Sequence, residues 1–392
     1  MTTKRTFPNK RMADIPMAGG IRDLLMKANE MEQAGRSIIH MEIGAPDFDS
    51  PQIAKEAAID AINAGLTHYT DMAGTFELRS AVAEKFTREN GLKTDADKNV
   101  VITCGAMEAV TASLLSLADA GEEIIIPAPF FPAYTDEIKL TGAKPVIVPT
   151  AYEDGFKLHA EEIAKAVTPR TAAILLNTPN NPSGSVQTKE TLLEIAELAI
   201  EKDLWVISDE CYEKFIYDGK HTSIASLPGM AERTITVGAS SKTWSMTGWR
   251  VGWVVAPVSI RHYINKTHQN LTTCANSFAQ EGVKKAFEAA DNDVAAMIKE
   301  YKRRRDMAYD RICGIDGFEA VKPSGAFYIF PKIASLGMKG LEFCEWLLET
   351  AGVSCAPGEA FGMPGYIRLA YCRSYEEVEE GMKRIKKAVE SL

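Results

Sequence analysis

No apolar run in this chain approaches the roughly 20 residues needed to span a bilayer, and the opening MTTKRTFPNKRMADIPMAGG has basic residues without the apolar core of a secretory signal. Neither a membrane protein nor an exported one is expected. Histidine is scarce, at six, and none falls in an H-E-x-x-H or similar ligand spacing. No metal is expected. The seven cysteines, at 104, 211, 274, 313, 344, 355 and 372, are scattered, odd in number and without a C-x-x-C pair. Reduced thiols in the cytoplasm fit that pattern better than a disulfide framework. Cys104 and Cys211 read as small packing residues rather than nucleophiles. Excess positive charge is missing too, since the formal net charge is -9, so nucleic acid is not an expected partner. The one dense basic run, KRRR at 302–305, lies in a charged helical stretch and reads as a solvated helix face.

What is present is ordinary globular composition, 46% apolar and 25% charged over 392 residues, enough for two domains and a large core. Strand and helix patterns alternate from about residue 45 to 285, which predicts one large α/β domain on a mostly parallel sheet. Beyond Pro257 the pattern turns helical, with a long helix over 293–310. Short strands follow within 317–330, 353–356 and 365–370, and an amphipathic helix over 375–392. A helical arm over about 21–35 is expected to pack on this smaller α+β unit. Residues 1–44 and 286–392 would then form one small domain from both chain ends.

Chemistry concentrates in SSKTWSMTGWR, residues 240–250, where Lys242 follows the β-branched run Thr234-Ile235-Thr236-Val237 and Arg250 comes eight residues later. A lysine at a strand end, amid small residues and near a second cation, has its ammonium pKa pushed down, so a neutral amine is available to attack a carbonyl. Arg250 is suited to gripping a phosphate through two parallel hydrogen bonds. A Schiff-base lysine beside a phosphate-binding arginine points to pyridoxal 5′-phosphate. The spacing alone is weak, because a chain with 44 basic residues contains many such pairs. A nucleotide-binding P-loop is disfavoured, since it needs glycine before the lysine and Ser241 stands there.

Other strand tips carry the decision. Leu204 to Ser208 leads at once to Asp209, Glu210 and Tyr212, and Thr171 to Leu176 runs into NTPNNPSG at 177–184. Asn99 to Thr103 leads into Gly105-Ala106-Met107-Glu108 and an apolar helix, whose free N–H groups bind anions. Glu123 to Ile126 ends in PAPFFPAY, whose rings suit a flat cofactor. Singly these are a helix cap, a turn former or packing residues. In an open α/β sheet, however, strand ends converge on one crevice.

The order and spacing of these motifs resemble the class I/II aminotransferases of pyridoxal-phosphate fold type I. IGAPDF at 43–48, Tyr69 with Gly74, PAPFFPAY, NNPSG, SDECY at 208–212, SKTWSMTGWRVGW, the 323–328 segment PSGAFY and Ile367-Arg368-Leu369 carry the match along nearly the whole chain. The resemblance implies that Lys242 bonds the cofactor, Asp209 pairs with its pyridine nitrogen, and Tyr212 and Asn181 bond its ring oxygen. Phe131 would stack on the ring. Phosphate would be held by Arg250, by the backbone at Ala106 and Met107, and by Tyr69 of the other subunit of a homodimer with shared sites. Arg368 would grip the substrate α-carboxylate, close to the backbone of Gly44. The family serine three residues before the lysine is replaced by Ala239, and Ser240 is the candidate substitute.

The implied activity moves an amino group between an L-amino acid and a 2-oxo acid by a ping-pong cycle. Aspartate with 2-oxoglutarate is the first expectation, with aromatic amino acids or alanine behind it. A C–S lyase would use the same apparatus. A non-catalytic regulator is disfavoured by the presence together of Lys242, Asp209 and Arg250.

Overall fold

The computed structural model describes residues 10–13, 15 and 20–392. The part of the expected small domain at 1–9, 14 and 16–19 lies outside the described residues. In chain order the strands are β1 (Ile39–His40), β2 (Val100–Thr103), β3 (Glu123–Ala128), β4 (Lys144–Pro149), β5 (Thr171–Asn177) and β6 (Trp205–Asp209). They continue with β7 (Thr234–Ala239), β8 (Gly252–Val255), β9 (Tyr328–Ile329), β10 (Val353–Ser354), β11 (Ala356–Pro357) and β12 (Ile367–Ala370).

Seven of these form the central sheet in the order β2-β8-β7-β6-β5-β3-β4. Only β8 runs against its neighbours, pairing antiparallel with β2 and β7. The fold is α/β. Both sheet faces are covered, so inner strands bury apolar residues on both sides: Ile124, Ile126 and Leu175 pack on one side with Val110, Leu114 and Ile260. Ile125, Ile174 and Leu176 pack on the other with Leu192 and Ile195. That alternation is the period of a strand buried on two faces. At the edge, β4 carries Lys144, Pro145 and Pro149 and is largely exposed, a composition that blocks further strand pairing.

Strand register puts the chemistry at one level. Asn177 at the end of β5 is opposite Asp209 at the end of β6, while Gly252 of β8 is opposite both Ala239 and Thr103. The second layer of structure is a three-stranded sheet, β11-β12-β9, and the parallel pair β1-β10, with helices Asp291–Ile312, Gly340–Ala351 and Tyr375–Val389. The arm helix, Ile21–Gln33, buries Leu24 and Ala28 in the same cluster as Leu347 and Val353, and Lys27 meets Glu349 at 2.5 Å.

Two expectations need correction. The stretch 317–330 forms a regular strand only at β9, its remainder making isolated bridges such as Glu319 with Lys332. The KRRR run is not a solvated face. Lys302 and Arg303 are exposed, but Arg304 and Arg305 are 5% and 1% exposed. Four consecutive helical residues sweep the whole circumference, so half of such a run must turn inward on a packed helix. The buried pair is matched: Arg304 Nη1 donates to both Asp47 oxygens at 2.8 Å, and Arg305 to Asp218 at 2.6 Å. Among the described residues no helix is long and apolar enough to cross a membrane.

Candidate active site

Beyond the strand ends lies a cavity of about 490 Å³. Gly44, Ala106, Met107, Phe131 and Asn181 line it, as do Tyr212, Lys242, Arg250 and Arg368. Lys242 stands in the short helix Ser240–Thr243 that caps β7, and its Nζ donates to the Gly44 carbonyl at 2.6 Å. Burial pushes its pKa down. Arg250 has left-handed backbone, φ 56°, where its Nη1 reaches the Thr247 carbonyl at 3.0 Å and its Nη2 the Cys104 carbonyl at 3.3 Å. It faces the start of the helix Ala106–Leu117, whose cap residue Gly105 supplies no side chain, so the first N–H groups stay open toward the cavity. A Cβ on Gly105 would lie 2.4 Å from Arg250 Nη2. Only glycine lets the guanidinium close that cup.

Asp209 lies behind the lining. Its Oδ2 accepts from the Tyr134 hydroxyl at 2.7 Å and its Oδ1 from the Cys211 N–H at 3.0 Å. Burial pushes its pKa up against those hydrogen bonds, so a cationic partner would be welcome. Tyr212 and Tyr328 share a hydrogen bond of 2.7 Å, and burial pushes the acidity of both phenols away from neutrality. Asn181 Oδ1 accepts from Arg368 Nη1 at 3.0 Å, and Arg368 Nη2 donates to the Glu42 carbonyl. Arg368 is 5% exposed and its Nε has no partner among the described residues. It stacks on Tyr328, 4.6 Å from the ring centroid. A Cβ on Gly44 would collide with the Tyr328 hydroxyl, so the backbone there is held against the ring.

Besides Asp209, two expected residues are not among the lining residues of this cavity. Ser240 is fully buried, with its hydroxyl on the Val251 carbonyl at 2.9 Å, and it is Ser241 that reaches the lining. The bond to Val251 joins β7 to the turn before β8 and leaves Ser240 no free hydroxyl direction. Tyr69 is 85% exposed and away from this chain's own cavity. Tyr134, Tyr328 and Asn177 were not singled out. Asn177 holds the Asn181 loop by accepting its N–H at 2.8 Å and donating to the Asp209 carbonyl at 3.1 Å. Tyr134 sits inside PAPFFPAY, one turn beyond Phe131, against which its ring packs edge-on at 5.5 Å.

The donor set fits a phosphorylated pyridine aldehyde: an amine, a carboxylate for the ring nitrogen, hydroxyl and amide groups at its edge, and an anion cup. Comparison with known proteins agrees. The model of the family "Aminotransferase class I and II" matches residues 36–385. Aromatic-amino-acid aminotransferase 2 of Thermococcus litoralis is 44% identical over 370 residues, 93% of this chain and 95% of that one. The aspartate aminotransferase of Pyrococcus abyssi is 46% identical over 359 residues, 90% and 92% respectively. The solved structure of the Thermus thermophilus aspartate aminotransferase with maleate superposes with a TM-score of 0.94 at 34% identity, covering 98% of this chain and all of that one. The chain belongs to the class I and II aminotransferases and is a pyridoxal-phosphate-dependent transaminase.

Proposed function

We propose that the cavity at the strand ends is the transamination site and that its residues carry the roles their positions favour. The observation that carries this reading is the convergence of the buried Lys242 amine, the Arg250 cup and Arg368 on one cavity, with the Asp209 carboxylate, which has no ion pair among the described residues, behind its lining. Bound pyridoxal phosphate supplies an electrophilic carbon and a ring that accepts the electron pair left when the substrate Cα–H bond breaks. Burial pushes the Lys242 ammonium pKa down, which favours the amine form that would bond the cofactor and, once displaced by the substrate, move a proton to and from Cα. Asp209 holds positive charge on the ring nitrogen, with Tyr134 fixing its orientation. Tyr212 and Asn181 serve the ring oxygen, and Phe131 covers the ring. Arg250 with the N–H groups of Ala106 and Met107 holds phosphate. Arg368 takes the α-carboxylate beside Gly44, its orientation set by Asn181 and Glu42.

The two halves of the reaction form a ping-pong cycle, in which an amino acid leaves as its oxo acid before a second oxo acid enters. Aspartate with 2-oxoglutarate is the first pair, supported by the relative from Pyrococcus abyssi. Aromatic amino acids are the second reading, favoured by the lining: Ile21, Ile43, Met107 and Val110 are apolar, and the cations among the lining residues are Lys242, Arg250 and Arg368, each with a role already. A panel of donors tested by single-turnover bleaching of the visible band decides. Bleaching by aspartate alone supports the first pair, preference for phenylalanine or tyrosine the second, and release of pyruvate with ammonia would overturn transamination in favour of a lyase.

The 45–285 segment would form the cofactor domain, with 1–44 and 286–392 as a small domain over the substrate. A cytoplasmic location fits the seven free cysteines. The working unit would be a homodimer with shared sites, since Tyr69 stands exposed with Leu66, Met72 and Phe76 nearby in sequence. Mixing Lys242→Ala with Tyr69→Phe subunits should give heterodimers with one intact site and activity above either parent. No recovery in heterodimers verified by native mass spectrometry would count against sharing.

A further inference from the structure

We infer that Glu108 and the buried His268 form a strut that sets the shape of the anion cup, which makes them positioning residues for cofactor retention. The inference rests on the reading of Arg250, Ala106 and Met107 as the phosphate site. Glu108 is the third residue of the helix Ala106–Leu117, yet its carboxylate turns back rather than into the cavity. Its Oε2 accepts the Cys104 N–H at 2.5 Å, which closes the Cys104-Gly105 turn from behind. That turn bears the cup directly. The Cys104 carbonyl accepts from Arg250, and Gly105 has φ +89° with no room for a Cβ beside the guanidinium. A Cβ on Gly252 would in turn sit 2.7 Å from the Gly105 carbonyl carbon, so β8, the turn and Arg250 are packed without slack.

The other carboxylate oxygen reaches a different element. Glu108 Oε1 accepts from His268 Nδ1 at 2.6 Å and from Thr272 Oγ1 at 3.1 Å, both on the helix Val258–Thr272. His268 has no exposed surface, and its Nε2 is buried without a partner among the described residues. A buried ring nitrogen left unpaired is unfavourable, so nothing about hydration or burial explains histidine at this place. Its bond to Glu108 does. Burial pushes the Glu108 carboxyl up, but the hydrogen bonds from His268 and Cys104 outweigh it and hold the group below the ordinary carboxylate range. An ionised carboxylate close to a phosphate site is tolerable only when its own donors saturate it and turn it away. Here three donors do so, leaving the N–H groups of Ala106 and Met107 for the ligand.

The test compares two ligands that differ only in the phosphate. Stripped full-length enzyme is titrated with pyridoxal 5′-phosphate and with pyridoxal, each followed by its visible band. His268→Leu should weaken pyridoxal phosphate about tenfold or more and change pyridoxal by less than about twofold. His268→Asn, which keeps a donor near the Nδ1 position, should recover most of the loss. Thr272→Val removes one donor with less disturbance of the core and carries the same comparison if the leucine variant does not fold. Equal weakening of both ligands, or none of either, would overturn the strut. A separate control protects the premise: if Arg250→Ala leaves the preference for the phosphorylated ligand intact, the phosphate site itself is misassigned.

Discussion

Asp209 and Glu210 are consecutive, acidic and buried, at 7% and 1% exposure, yet the protein treats them in opposite ways. Glu210 is fully matched. Its Oε1 accepts from the hydroxyls of Ser208 and Ser223, each at 2.9 Å, and its Oε2 meets His221 Nε2 at 2.9 Å. Glu213, one turn on, meets Lys85 and the Asn90 amide. Asp209 has a phenol and a backbone N–H but no ion pair among the described residues. The consequences differ in sign. Burial pushes both Asp209 and Glu213 up, but only for Glu213 do the surrounding cations, Lys85 first, reverse it and hold the group below its ordinary value. A carboxylate whose cation is built into the chain is structural. One that is buried without a cation is waiting for a ligand.

That contrast is broken most severely at the amine opposite Asp209. Lys242→Ala should remove nearly all turnover, by about 10⁴-fold or more, because no other side chain in the cavity supplies both an amine and a route for the Cα proton. Exogenous small amines that restore a few per cent of the rate would sharpen the assignment, and wild-type rates would end it.

Next in size is Asp209→Ala, which should slow Cα–H cleavage by about 10²–10³-fold, measured by deuterium exchange, while cofactor occupancy falls far less. The paired partner should respond the other way. Lys85→Met leaves Glu213 buried without its cation, which costs about 3–5 kcal/mol of stability. Chemical denaturation reads this loss, while half-reaction rates stay within about twofold of wild type because Lys85 does not line the cavity. Lower rates at unchanged stability would blur the distinction between the two clusters.

The smallest effect is on the pH profile of melting. Glu213 is held below its ordinary 4.5, so its contribution stands at neutral pH and is lost on acidification through the lowered value. For His221 burial pushes down but Glu210 outweighs it, holding the group above its ordinary 6.5. Its contribution is full below that value and lost as pH rises through the raised one. His221→Gln should therefore flatten the alkaline side of the profile, and change the acid side less, because His221 assists Lys85 in holding Glu213 low. The ligand atoms of Glu210, Glu213 and His221 lie within 4.8 Å of one another, but Glu213 is already paired with Lys85 and Glu210 with His221.

How legible this was in the sequence depended on whether a residue acts through its type and place along the chain or through a distant neighbour. Lys242, Asp209, Asn181 and Arg250 follow strand ends, and parallel strands bring their ends together whatever lies between. Their nearness in the fold was therefore readable as a set. Tyr134 was not, because its role is a hydrogen bond to Asp209 across 75 positions. Tyr328 likewise acts through Tyr212, 116 residues away. Arg304 read as solvent-facing because its partner Asp47 lies in another motif entirely. The choice between Ser240 and Ser241 turned on a single bond to Val251, which no local pattern announces. Strand β8, Gly252–Val255, was not read as a strand because it begins inside the run SKTWSMTGWRVGW, where the lysine and arginine drew the reading to chemistry.

The central claim is that the unpaired cluster at the strand ends holds the cofactor through Lys242. Borohydride reduction of the enzyme as isolated, followed by proteolysis and mass spectrometry, tests it directly. The account predicts a pyridoxyl phosphate adduct on the peptide containing Lys242 and on no other lysine. An adduct on a different lysine, or a cofactor-loaded enzyme that yields none, would contradict it.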